Sequence, residues 1–90
     1  MKIHVYIDSR HGWGAVKRTL LESLGIADKV SHYSYQRGQT VYLEEDCDLS
    51  LLIHALRLHC IKPEFIEHHT DRSPIRSYDH YRPSAQLMMG

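Results

Sequence analysis

Ile3, Val5 and Ile7 alternate with His4, Tyr6 and Asp8, so the chain opens on a segment that is apolar on one side only. A two-residue period dictates a strand with one buried face. The period then changes. Val16, Leu20 and Leu24 repeat at four, with Leu21 beside them, and predict a helix from Ala15 onward. Gly25 followed by Ile26 predicts its stop, with the isoleucine folding back onto the last turn. These switches of period constrain the fold more than any other feature of the chain.

Between the first strand and the helix, Ser9-Arg10-His11-Gly12-Trp13-Gly14 carries two glycines in a polar run and predicts a loop. Lys29 to Tyr35 predicts an edge strand. Gln36-Arg37-Gly38-Gln39 predicts a turn, and Thr40 to Glu44 alternates as the next strand, so a hairpin joins the two. Leu49, Leu52, Ile53 and Leu56 share one helical face, with Asp46 or Asp48 placed to cap the first turn. Lys62-Pro63 stops that helix before a last strand, Glu64 to His68.

The order β-α-β-β-α-β has a familiar solution. Residues 1–69 are expected to form one α+β domain of ferredoxin-like, split βαβ type. Two helices cover one face of a four-stranded antiparallel sheet whose central strands are the first and third. The buried set is Ile3, Val5, Ile7, Val16, Leu20, Leu24, Val41, Leu43, Leu49, Leu52, Ile53 and Leu56. Residues 70–90, with two prolines and little periodicity, predict a C-terminal extended arm.

Composition narrows the function classes. Eleven basic residues balance eleven acidic ones, which disfavours whole-molecule attraction to nucleic acid or anionic membrane. No segment approaches the roughly 20 apolar residues of a membrane span, and a cytoplasmic protein is expected. Cys47 and Cys60 sit at the two ends of the second predicted helix, about 20 Å apart, beyond the reach of a disulfide. That suits a reducing compartment.

Candidate sites fall on the predicted open sheet face, the first loop and the arm. His4, Tyr6 and Tyr42 are expected on the open face. Val5-Tyr6-Ile7 resembles the first-strand motif of RNA-recognition domains, which stack bases on such a face. The third strand departs from that pattern, since Gln39 and Val41 stand where stacking aromatics belong. The loop with Asp8, Arg10, His11 and Trp13 ends a strand and opens a helix, and Asp8, Ser9 and His11 are residue types used in nucleophilic and acid–base catalysis, without a P-loop or dinucleotide spacing. The arm carries Arg72, Arg76, Tyr78, Tyr81 and Arg82 before a Leu87-Met88-Met89 end, and arginine and tyrosine dominate protein interfaces. The acidic run Glu44-Glu45-Asp46, with Asp48, reads as a helix-capping connection rather than a magnesium site. Eight histidines raise the question of a metal, for which His68, His69 and His80 are weak candidates. Adjacent strand residues face opposite ways, so His68 and His69 are not expected to ligate together, and no cofactor is expected.

Several segments together resemble a group of small proteins encoded by phages and other mobile elements. They are Asp8-Ser9-Arg10-His11-Gly12-Trp13, Ser34-Tyr35, Tyr42-Leu43-Glu44-Glu45-Asp46-Cys47-Asp48, His68-His69-Thr70 and Ile75-Arg76-Ser77-Tyr78. The resemblance runs over residues 1 to 82 and implies no catalytic residues. It implies a context in which small proteins bind and block a host protein or ribonucleoprotein, anti-CRISPR and other defence inhibitors among them. The expected function is accordingly non-enzymatic binding of such a partner, with a second copy of the chain as an alternative partner. Single-stranded nucleic-acid binding through the sheet-face tyrosines and a small metal-dependent enzyme are the competing expectations.

Overall fold

The computed structural model describes residues 1–83 of the chain, so the Leu87-Met88-Met89 end lies outside the described residues. It contains β1 (Lys2–Ile7), β2 (Gly12–Lys17), α1 (Arg18–Ser23), β3 (Tyr35–Arg37), β4 (Thr40–Glu44), α2 (Asp48–Leu58), β5 (Glu64–His69), a 3₁₀ turn (Pro74–Ser77) and β6 (Asp79–His80). The strands form one six-stranded sheet in the order β5-β1-β2-β4-β3-β6. The β1–β5 pair is parallel and the other pairs are antiparallel. The four-stranded antiparallel ferredoxin-like sheet expected from the sequence is therefore incorrect.

The departure begins at the two glycines. Gly12 and Gly14 belong to β2, which forms a hairpin with β1 in the register Val5↔Gly14 and Ile7↔Gly12. The glycines make room for the layer above. A Cβ on Gly14 would stand 2.7 Å from Leu49 Cδ1 of α2, and one on Gly12 would stand 2.8 Å from Glu45 Oε2. Such a strand glycine marks a close approach rather than a chain reversal.

The reversal itself is a four-residue turn at Asp8. Its backbone N–H donates to His11 O at 2.9 Å, while its carboxylate accepts from the N–H groups of Arg10 and His11. Val16 is consequently a strand residue paired with Val41, and α1 starts only at Arg18. The shift makes Leu21, rather than Leu20, the fully buried residue of α1.

The inserted strand also changes the direction of the last one. With β2 between them, β1 and β4 run parallel, and α2 returns the chain so that β5 parallels both. The edge strand expected over 29–35 is absent except at Tyr35; β3 takes Gln36 and Arg37 from the expected turn, and β6 rather than β3 lies at the sheet edge. Val30 plugs the core from a turn instead.

The expected cap of the second helix by Asp46 or Asp48 is not made, since Cys47 is the N-cap without a side-chain bond and Asp48 turns to Ser31 and Ser34 instead. Two glycine readings stand. Gly25 takes φ +73°, Gly25 N–H donates to Glu22 O and Ile26 N–H to Leu21 O, and Ile26 is buried. This is the paired backbone closure of a helix end. Gly38 takes φ +59° as the first central residue of the β3–β4 hairpin. Cys47 and Cys60 flank α2 and are free.

The core lies between the helices and one sheet face. Ile3, Val16, Val41 and Leu43 meet Leu21, Leu52, Ala55 and Leu56 there, with Ile26, Val30 and Tyr81 closing the sides. Leu20, Leu24 and Leu49 pack on it partly buried, while Ile7 and Ile53 are half-buried.

Candidate interaction surface

Directly paired residues share a sheet face. The registers therefore place His4, Tyr6, Trp13, Ala15, Tyr35, Arg37, Tyr42, Glu44, His68 and His80 together on the face away from the helices. Part of this face is crossed by the C-terminal segment. After β5 the chain packs against it through the 3₁₀ turn, where Ser73 Oγ accepts from Ile75 N–H and Ile75 is buried. Arg76 lies over the Trp13 ring at 5.7 Å, and Tyr78 meets Tyr42 at 5.2 Å. The Arg37 guanidinium covers the Tyr78 ring and donates to its hydroxyl at 3.1 Å.

Beyond β6 the segment returns to the helix side. Tyr81 is buried in the core beneath Arg18, and its hydroxyl donates to Ala27 O. Buried Arg18 donates to Arg82 O and to Gln36 Oε1, which also accepts from Arg82 N–H. The arm residues Arg76, Tyr78 and Tyr81 thus make intramolecular contacts that bind the segment to the sheet. Arg72 is exposed. With Arg10 it borders an open cleft of about 790 Å³ whose walls include Asp8, Asp71 and Arg76.

Asp8 anchors this arrangement. Its carboxylate, 3% exposed, accepts two hydrogen bonds from Arg76 at 3.0 and 3.1 Å besides the two backbone bonds of the turn. The Arg76 bond, followed by the two backbone donors, holds the carboxyl well below the usual carboxylate range. Its stabilisation is complete above the unfolded carboxyl's pKa of about 3.9 and fades as pH falls below it. Thermal melts of wild type and Asp8→Asn should therefore differ by several degrees near neutrality and converge in strong acid. A gap that stays constant with pH would remove this link from the account.

Such a carboxylate is committed to donors and is not free to act as a base. Ser9 and His11 share no hydrogen bond among the described residues, and the His11 ring instead tilts against Trp13. The acidic run also disperses. Asp48 is buried, Glu44 accepts from Cys47 N–H, and Glu45 lies over Gly12. Asp48 and Glu44 raise the Cys47 thiol above its ordinary range, Asp48 being the main cause, which disfavours a thiolate nucleophile.

No family model matches this chain, and neither does any curated protein or solved structure. No helix among the described residues is long and apolar enough to cross a membrane. The open face carries most of the aromatic side chains.

Its rings form two chains of contact. One runs from His4 to His68 at 5.1 Å, to Tyr6 at 4.9 Å, to Tyr42 at 6.4 Å and on to Tyr78. Ala15 lies between His4 and Tyr42 in register, and its small side chain lets Tyr6 and Tyr42 meet. The second runs from His11 through Trp13 and Tyr35 to His80, with His32 and Tyr33 beyond. Tyr6 and His68 are paired across adjacent strands, their planes 16° apart at 4.9 Å. That separation matches the spacing of neighbouring strands, about 4.8 Å, so the two rings lie face to face across the strand pair.

The weak metal candidates separate. His69 pairs with Glu67 on the helix-side face, and His80 Nδ1 meets His32 O at the far edge. His68 instead faces His4, a pairing invisible without β5 lying beside β1. No group of three or more potential ligands converges among the described residues. Arg18, Gln36 and Tyr35 also escaped the sequence reading. The 18/21 spacing of Arg18 with Leu21 was the one available signal that Arg18 faces inward.

Proposed function

We propose that this chain is a non-catalytic binding module whose partner is a protein, engaged on the open sheet face and the adjoining β5 edge. The stacked ladder of Tyr6, His68 and His4 carries the reading. Base recognition on a sheet needs aromatic rings with a free face. Here Tyr6 and His68 turn a ring face to one another, and the phenol and imidazole groups of this patch suit hydrogen bonding to a protein surface.

The β5 edge supports the same reading. Glu64 and Thr70 N–H groups donate toward β1, so the alternation turns the amides of Phe65, Glu67 and His69 outward. An open edge beside an aromatic patch is a place for a partner strand. A third feature suggests the partner's chemistry. Trp13, Tyr33 and Tyr35 line a pocket of about 440 Å³ with Glu44 and Asp46, which fits a lysine or arginine side chain. The resemblance to phage and mobile-element proteins directs the search for the partner toward host defence complexes.

The test is quantitative binding of a partner captured from the native host. Tyr6→Ala should weaken it by about 2 kcal/mol, roughly thirtyfold, as a central aromatic contact does. Leu58→Ser, exposed at the end of α2, should leave it unchanged. Retention of full affinity by Tyr6→Ala would defeat the proposal. A salt-dependent shift of single-stranded oligonucleotide, lost in Tyr6→Ala, would transfer the face to nucleic acid.

A further inference from the structure

We propose that His4 and His68 form a two-imidazole site for a divalent transition-metal ion of the copper, nickel or zinc type. The two residues lie on adjacent parallel strands in the registers His4↔Ile66 and Tyr6↔His68, so they are diagonal neighbours on one face. His4 Nδ1 and His68 Nε2 stand 2.8 Å apart, each ring presenting a nitrogen to the other. At that distance one nitrogen donates its hydrogen and the other accepts. When that proton moves to the donor ring's other nitrogen, both facing nitrogens carry lone pairs, and a turn of the exposed His4 ring aims both at one ion.

That geometry suits a metal. With bonds of about 2.0–2.1 Å from metal to nitrogen, atoms 2.8 Å apart subtend about 85° at the ion. This is the angle between neighbouring ligands of a square or octahedral ion, the preference of Cu²⁺ and Ni²⁺. Tetrahedral Zn²⁺ needs the nitrogens about 0.5 Å further apart, within the rotation of exposed rings.

The pair is also held and accessible. His68 stacks on Tyr6, with the planes 16° apart, which fixes the direction of its ring. Both histidines are exposed, so an ion enters without opening the fold. It keeps positions facing solvent, where a donor from a second molecule can complete the shell. The remaining candidates do not compete: His69 faces the opposite side beside Glu67, and His80 is turned to His32 O.

The test uses the untagged full chain and NiCl₂ or CuCl₂, followed by calorimetry and by the imidazole NMR signals. One ion per chain is expected, with His4 and His68 signals affected first. His4→Ala and His68→Ala should each weaken binding by at least about tenfold. His69→Ala and His80→Ala should leave it unchanged. Unaltered affinity in either His4→Ala or His68→Ala, or a loss shared equally among all four variants, would overturn the site. Both residues are exposed, and matching circular dichroism spectra establish that the variants fold.

Discussion

Tyr81→Ala should destabilise the protein by about 3–5 kcal/mol, the cost of emptying a buried aromatic site. Against a typical domain stability of about 5–15 kcal/mol, this is a large share. Tyr81 lies near the end of the described chain, yet its ring is 3% exposed within the core. Its backbone N–H donates to Ser34 O, its hydroxyl to Ala27 O, and the Arg18 guanidinium covers its ring. Removing the ring opens a cavity beneath buried Arg18 and releases the segment that carries Arg76 and Tyr78 across the open face. Tyr81→Phe keeps the ring and leaves Ala27 O without its donor, so it should cost only about 1 kcal/mol. Urea unfolding measures both. A loss below that of Tyr81→Phe for the alanine variant would show that the C-terminal segment is an accessory, not part of the core.

The contrast shows where sequence reasoning stops. Periodicity located β1, β4 and α2, because each buries one side of a regular element and the spacing records it. It also placed His4, Tyr6 and Tyr42 on the open face, since alternation alone assigns the side. Gly25 and Gly38 were legible because their conformations are set by neighbours in the chain. Gly12 and Gly14 were not, because their reason is Glu45 and Leu49, more than thirty residues away. Reading them as a loop removed a strand and so reversed the direction assigned to β5. Asp8 with Arg76, and His4 with His68, each join residues more than sixty positions apart. Nothing local marks such pairs. The arginines and tyrosines of the arm suggested an external partner, whereas Asp8, Arg37 and Tyr42 supply internal ones to Arg76 and Tyr78.

Asp48→Ala is expected to cost about 3–4 kcal/mol, because it strands several buried donors at once. The carboxylate is 2% exposed. It accepts from Ser31 N–H at 3.1 Å and from the hydroxyls of Ser31 and Ser34 at 2.6 Å. Ser34 Oγ in turn accepts from Glu44 N–H, and Ser34 O accepts from Tyr81 N–H. One carboxylate in the first turn of α2 thus holds the 31–34 turn, the end of β4 and the C-terminal segment. Its position there adds a favourable interaction with the helix dipole of about 0.3–1 kcal/mol. Asp48→Asn keeps the shape but turns an amide donor toward hydroxyl donors, so it should fall between wild type and alanine. The decisive comparison is the double variant with Ser34→Ala. Members of one network lose the same bonds twice, so the combined cost should fall short of the sum of the single costs. Additive urea-unfolding energies would mean that Asp48 and Ser34 act separately. The position of Tyr81 would then not depend on Asp48.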